Sequence, residues 1–168
     1  MLDTGPGSSI ELQRHVELTG LDAIVVSHEH PDHWTELPVL HHGLRYGVQR
    51  SHLPTYGTAG TRRLVELVLP EALTTSFDWT VIDEASELTI GDQRWTFSRT
   101  DHPVETLAPR VECAGRSLAY SADTGPGWSP EAFGEPVDLM VYEATLPVAM
   151  EPDEIPHVSG RQAGERAR

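Results

Sequence analysis

An α/β or α+β layered fold is predicted by three features of the 168-residue sequence. A β-branched apolar run, Leu21-Asp22-Ala23-Ile24-Val25-Val26, reads as a buried strand. Short apolar runs alternate with helical patterns through the first half, and after residue 78 strand-like segments follow one another.

Taken in order, Leu2 reads as the last residue of a strand, and residues 10–18 as a helix with Leu12 and Val16 on one side. The turn Thr19-Gly20 leads into the buried strand. A short helix from Thr35 precedes His41-His42, which are expected to be a solvated pair, and His52 precedes the strand-like Leu53-Pro54-Thr55-Tyr56. Residues 61–69 read as a helix capped by Thr61 and stopped by Pro70, with Leu64, Leu67 and Val68 at i, i+3 and i+4. Strands are expected at 79–82, 88–90, 94–99, 108–113, 117–121 and 137–142, with Ala114-Gly115 as a hairpin turn. Residues 161–168 have helix-forming composition. The length suits one domain over 1–168.

Composition narrows the function. Apolar residues make up 38% and charged residues 23%, with glycine and proline dispersed, so the chain is globular and not disordered. No apolar run approaches the ~20 residues that span a bilayer, and Met1 is followed by a turn sequence instead of a secretory signal, so the expected location is the cytoplasm. The single Cys113 is expected to be a small strand residue. The net charge is −14, and all 12 basic residues are arginine. Of these, Arg62-Arg63 read as an exposed helix face, and Arg161, Arg166 and Arg168 are the other concentration. A long nucleic acid is a poor partner for such a surface. A small anion neutralised by metal ions is not excluded.

The chemistry is concentrated in Ser27-His28-Glu29-His30-Pro31-Asp32-His33, directly after the buried strand. Residues two apart in an extended segment project to one side, so His28 and His30 can offer imidazoles to one cation, while Asp32 and His33 serve a second where the chain turns. Histidine and carboxylate are ligand types that Zn²⁺ selects, and the same set accepts Mn²⁺ or Fe²⁺. Two further segments are candidates by their order, Asp101-His102-Pro103-Val104 at the start of a strand segment and Tyr120-Ser121-Ala122-Asp123-Thr124-Gly125-Pro126 at the end of another.

The first segment resembles the His-x-His-x-Asp-His signature of the metallo-β-lactamase superfamily, and the later two resemble its subsequent metal motifs. The resemblance covers essentially the whole chain and implies a four-layer αβ/βα sandwich with a two-metal site. It implies that His28, His30 and His102 hold one ion, Asp32 and His33 the other, and that Asp123 bridges them. Two metals ~3.5–4 Å apart convert a bound water to hydroxide near neutral pH, so no serine or cysteine nucleophile is needed.

Tyr142-Glu143-Ala144-Thr145-Leu146 and His157-Val158-Ser159-Gly160 resemble the ribonuclease Z-like branch, which acts on phosphodiesters. The resemblance implies that His157 is a general acid oriented by a carboxylate, with Asp32 the other catalytic residue. Tyr142 stands where that branch often has histidine, and Ala122 where the family usually has glycine. The chain ends inside the helix begun near Ser159, before the strand on which the family carries another metal-ligand histidine. The expectation is a domain incomplete at both termini, with a firm first metal and a weaker second one. Without a lysine- and arginine-rich arm, a compact phosphodiester such as a cyclic nucleotide suits the chain better than tRNA 3′ ends; the alternatives are a ribonuclease Z-type endonuclease and a non-catalytic metal-binding member. The antibiotic-hydrolysing branch is disfavoured. A homodimer would cover exposed sheet edges.

The pentapeptide Asp-Thr-Gly-Pro-Gly occurs twice, at 3–7 and 123–127. The two are read as equivalent corners of two similar halves. In the second, Asp123 is a metal ligand; in the first, Asp3 is expected to hydrogen-bond loop backbone beneath the site.

Overall fold

The buried run at 21–26 becomes strand β1 only over Ile24–Val26 in the computed structural model, which describes residues 1–151 and 156–167. The preceding residues turn as a 3₁₀ segment, Leu18–Gly20. The chain divides into two compact units, Met1–Ile82 and Asp83–Arg168. Among the described residues no helix is long and apolar enough to cross a membrane.

In the first unit β2 (Leu53–Gly57) pairs in parallel with β1 and with β3 (Phe77–Val81), in the order β1-β2-β3. Leu2 adds a single parallel bridge to Val25, with the Val25 N–H on Met1 O at 2.9 Å and the Asp3 N–H on Val25 O at 2.8 Å. Parallel pairing requires crossovers; they are α2 (Leu37–His42), then α3 (Ala59–Val68) with α4 (Ala72–Thr75). The core is built from Ile24, Val26, Leu37, Leu40, Leu53 and Phe77 with their neighbours.

Three expectations are corrected here. The helix expected at 10–18 is α1, Ser8–Leu12, started earlier because the Glu36 carboxylate accepts from the N–H groups of Gly7 (3.0 Å) and Ser9 (3.3 Å). α3 is capped by Thr58, whose Oγ1 accepts from the Thr61 N–H at 3.2 Å. Its buried face carries Thr61 and Val65, with Leu64 packed against the core, and Leu67 and Val68 are 74% and 61% exposed. Arg62 and Arg63 are exposed as read.

His41 is the third. It is fully buried instead of solvated, since it ends α2 facing the core, with Nδ1 2.8 Å from Ser76 Oγ and Nε2 3.5 Å from Glu71 Oε1. Burial lowers its pKa below the ordinary 6.5, with Glu71 opposing the shift. The folded protein therefore takes up this proton less readily than the unfolded chain. Stability is full above pH 6.5 and is lost as pH falls through that value toward the folded pKa. Thermal melts from pH 8 to pH 5 are expected to show the loss, and His41→Gln to flatten it; equal pH dependence in the variant would refute the assignment. His42 is exposed, on Pro38 O at 2.8 Å.

In the second unit β4 (Glu87–Ile90), β5 (Gln93–Arg99), β6 (Leu107–Cys113) and β7 (Arg116–Tyr120) form an antiparallel meander, and β8 (Leu139–Val141) joins β7 in parallel. Leu88, Trp95, Val111, Leu118 and Leu139 fall in one lateral row of this register. Ala114 and Gly115 both have positive φ, 50° and 73°, the type I′ combination that closes a two-residue hairpin. Cys113 ends β6; its Sγ donates to Asp92 at 3.3 Å, which pushes the thiol pKa up and away from reactivity. Asp101-His102-Pro103-Val104 does not begin a strand as expected. It is the loop between β5 and β6, where Pro103 has no N–H for a ladder. The C-terminal helix α5 is Gly160–Arg166, with a capping box between Ser159 and Gln162; Arg168 lies outside the described residues.

Candidate metal centre

The loop after β1 carries the first donors. His28 is fully buried and His33 nearly so, while the Asp32 side chain is 71% exposed. Ring nitrogens of His28 and His30 lie within 4.8 Å of each other, so the pair offers two donors to one side even though the chain bends there and enters a 3₁₀ turn at Pro31–His33. That turn brings His33 Nε2 to 3.7 Å from Asp32 Oδ2. Trp34 locks the loop by donating its indole N–H to Glu29 O at 2.8 Å.

Asp3 does more than the loop-backbone bonding expected of it. Its Oδ1 accepts from the Ser27 N–H (2.7 Å), and its Oδ2 meets Ser27 Oγ (2.9 Å) and His33 Nδ1 (2.8 Å). Ser27 Oγ, its proton directed to Asp3, is an acceptor for His28 Nδ1 at 3.0 Å. One carboxylate thus places N–H on Nδ1 of both rings and a lone pair on Nε2, the form in which histidine binds a metal.

The second unit holds His102, Asp123 and His157. Ligand atoms of His102 and Asp123 lie within 4.8 Å of each other, and His102 Nδ1 is engaged by Pro156 O at 3.1 Å. Asp123, Glu143 and His157 also bring ligand-type atoms within 4.8 Å. The Glu143 carboxylate is saturated by protein: it accepts from Thr124 N–H (2.6 Å), Thr145 N–H (3.3 Å) and His157 Nδ1 (3.0 Å). It is therefore an orienting group for His157, which stands 3.9 Å from Asp123 Oδ2. The segments meet because Leu146 bridges Ser159, with the Leu146 N–H on Val158 O at 3.0 Å.

Two substituted positions are clarified. Tyr142 donates its hydroxyl to Trp128 O at 3.1 Å and packs on that indole; burial pushes its pKa up to about 12, so it is neither an ion nor a base near neutrality. Ala122 has φ 49° and is buried, so the alanine occupies a left-handed angle that favours glycine. In the first corner the left-handed residue is Asp3 itself, φ 51°, so the two corners are not equivalent in backbone.

The residues fit divalent metal: each unit supplies imidazole and carboxylate donors, and the Nδ1 atoms of His28, His33 and His102 are all held by protein groups. Asp3 and Glu143 are the functional residues that motif reading missed. Only the repeat of Asp-Thr-Gly-Pro-Gly pointed at the first.

Fold and donor sets define a metallo-hydrolase. The chain belongs to the metallo-β-lactamase superfamily: the family model described as beta-lactamase superfamily domain matches residues 1–168. It is 26% identical to the probable metallo-hydrolase YhfI of Bacillus subtilis, over 100% of this chain and 69% of that protein. It is 27% identical to ribonuclease BN of Escherichia coli, over 100% of this chain and 73% of that one. Among solved structures, the crystal structure of YhfI matches with TM-score 0.85 at 24% identity, covering 99% of this chain and 68% of that one. Human tRNase Z, short form, matches with TM-score 0.80 at 19% identity over 99% and 75% of the two chains. A diphosphatase of the PhnP family matches with TM-score 0.74 at 18% identity over 99% and 62%. The chain thus spans about two thirds to three quarters of these proteins' length.

Proposed function

We propose that the two donor sets serve one two-metal centre that hydrolyses a small phosphodiester such as a cyclic nucleotide. His28, His30 and His102 would hold one ion and Asp32 and His33 the other, with Asp123 as the donor common to both. Zn²⁺ is the first choice for this donor chemistry, with Mn²⁺ or Fe²⁺ as alternatives. Bound divalent ions polarise a phosphoryl oxygen and make water acidic enough to attack near neutral pH.

The observation that carries the phosphodiester reading is the buried Glu143 carboxylate on His157 Nδ1 at 3.0 Å, close to Asp123. With Glu143 on Nδ1, Nε2 is the nitrogen from which His157 would give a proton to the leaving oxygen. Asp123 Oδ2 stands 3.9 Å from the same Nδ1. Asp32, on an exposed side chain beside His33, supplies the negative charge facing the solvent side of its loop.

The likeness to ribonuclease BN and tRNase Z favours a second reading, cleavage at tRNA 3′ ends. Two observations weigh against it. The net charge is −14 with no lysine. The match to ribonuclease BN runs over 228 positions for a chain of 168 residues, whereas the match to YhfI runs over 172, so ribonuclease BN carries inserted residues within the matched region that this chain lacks.

The test is hydrolysis of bis(p-nitrophenyl) phosphate, of cyclic nucleotides and of a tRNA precursor with added Zn²⁺ or Mn²⁺, beside Asp32→Ala. Turnover of the cyclic nucleotide and the aryl diester, lost in Asp32→Ala, is expected. Preferential cleavage of the precursor would establish the second reading, and no turnover with any metal would establish a non-catalytic metal-binding protein.

A further inference from the structure

Both Asp-Thr-Gly-Pro-Gly corners grip an Asp-His dipeptide. In the first unit Thr4 donates its N–H to His33 O at 2.7 Å, and Gly5 is so close that a Cβ there would stand 2.1 Å from Asp32 O. In the second, Gly125 donates its N–H to Asp101 O at 2.6 Å, and a Cβ on it would lie 2.7 Å from Asp101 Oδ2. The last glycine N–H of each corner goes to a carboxylate. Gly7 uses Glu36 at 3.0 Å, and Gly127 uses Asp101 at 2.8 Å.

The supplier of that carboxylate sets the two dipeptides apart. Glu36 comes from outside Asp32-His33, so Asp32 keeps an exposed carboxylate 3.7 Å from His33 Nε2. In Asp101-His102 the aspartate closes its own corner. Its carboxylate takes Gly127, its N–H reaches Thr124 Oγ1 at 3.3 Å, and the neighbouring Thr100 hydroxyl donates to Asp123 O at 2.7 Å. Asp101 therefore stands between His102, its neighbour in the chain, and Asp123, which opens the corner it grips.

We propose that Asp101 is a positioning residue that fixes the spacing of His102 and Asp123 without touching the metal. The acceptor geometry of its side chain, not its charge, is what the corner requires. This rests on the metal-binding reading above. A main-chain stitch of this kind acts on metal affinity as other groups that orient ligands do, by about 10- to 100-fold.

The experiment measures Zn²⁺ affinity by chelator competition, with thermal melts of each protein. Asp101→Ala is expected to bind about 10- to 100-fold more weakly. Asp101→Asn, whose amide oxygen still accepts from Gly127, is expected to stay within the same decade as the parent chain. Thr124→Val, near in shape but without the acceptor for the Asp101 N–H, is expected to weaken binding, and it carries the test if Asp101→Ala does not melt cooperatively. Parent-like affinity in Asp101→Ala or in Thr124→Val, or a loss in Asp101→Asn equal to that of Asp101→Ala, overturns the proposal. A parent chain that takes up no Zn²⁺ would instead overturn the metal-binding reading, and this inference with it.

Discussion

His157→Ala is expected to slow hydrolysis of a cyclic nucleotide by about 10²- to 10⁴-fold, the range of a positioned general acid, while slowing bis(p-nitrophenyl) phosphate far less. The difference lies in the leaving group. A ribose oxygen must be protonated as it departs, whereas a p-nitrophenolate leaves as the anion. Because Glu143 holds Nδ1 at 3.0 Å, the proton for transfer sits on Nε2. Glu143→Gln keeps an acceptor for His157 but removes the charge that stabilises the imidazolium, so it is expected to show the same substrate dependence at smaller size. Steady-state kinetics on both substrates check the pair of variants, and equal losses on the two would refute the general-acid role.

Asp3→Asn is expected to separate metal binding from stability. The carboxylate of Asp3 meets Ser27 N–H, Ser27 Oγ and His33 Nδ1, all within 3.0 Å. An asparagine oxygen can still accept from the Ser27 N–H, so the melting temperature should change little. Its NH₂ would then face His33 Nδ1 or Ser27 Oγ. A ring that must accept at Nδ1 carries its proton on Nε2, the nitrogen needed for the metal. Zn²⁺ affinity is expected to fall by about 10- to 100-fold. Asp3→Ala also strands a buried N–H, which adds a loss of about 1–3 kcal/mol and lowers the melting temperature by about 2–4 °C for each kcal/mol. Chelator competition and thermal melts on the two variants check this. Parent-like affinity in Asp3→Asn would show that Asp3 only holds the loop.

Local chemistry made much of the second unit legible. β4 and β5 alternate regularly, the Ala114-Gly115 turn can close in one common way, and the observed strands begin and end within about two residues of those expected. The first unit was harder, because its strand Ile24–Val26 is buried at every position and so lacks the alternation that marks a face. Helix boundaries there were decided by partners far along the chain: Glu36 begins α1 from 27 residues away, which no window around Ser9 contains. His41 looked solvated in the sequence and is buried because its helix ends on Ser76 and Glu71.

The same division holds for the site. His28, His30, Asp32 and His33 were readable because four metal-ligand side chains within six residues, set at the end of a buried strand, seldom fall together without a cation to share. His102, Asp123 and His157 were readable because they follow in an order that a known family shares. Residue type and spacing by themselves determined the kind of donor chemistry on offer and a net charge of −14, and the order of the motifs carried the resemblance to the superfamily to which the chain belongs. The orienting groups were decided only in three dimensions. Asp3, Glu143 and Asp101 act through hydrogen bonds to residues 14 to 30 positions away, and a hydrogen bond leaves no period in a sequence. The tertiary structure also separated the twin corners: one left-handed angle falls on Asp3 and the other on Ala122, and the first carboxylate meets His33 directly and His28 through Ser27 while Asp123 stands beside His102 and His157.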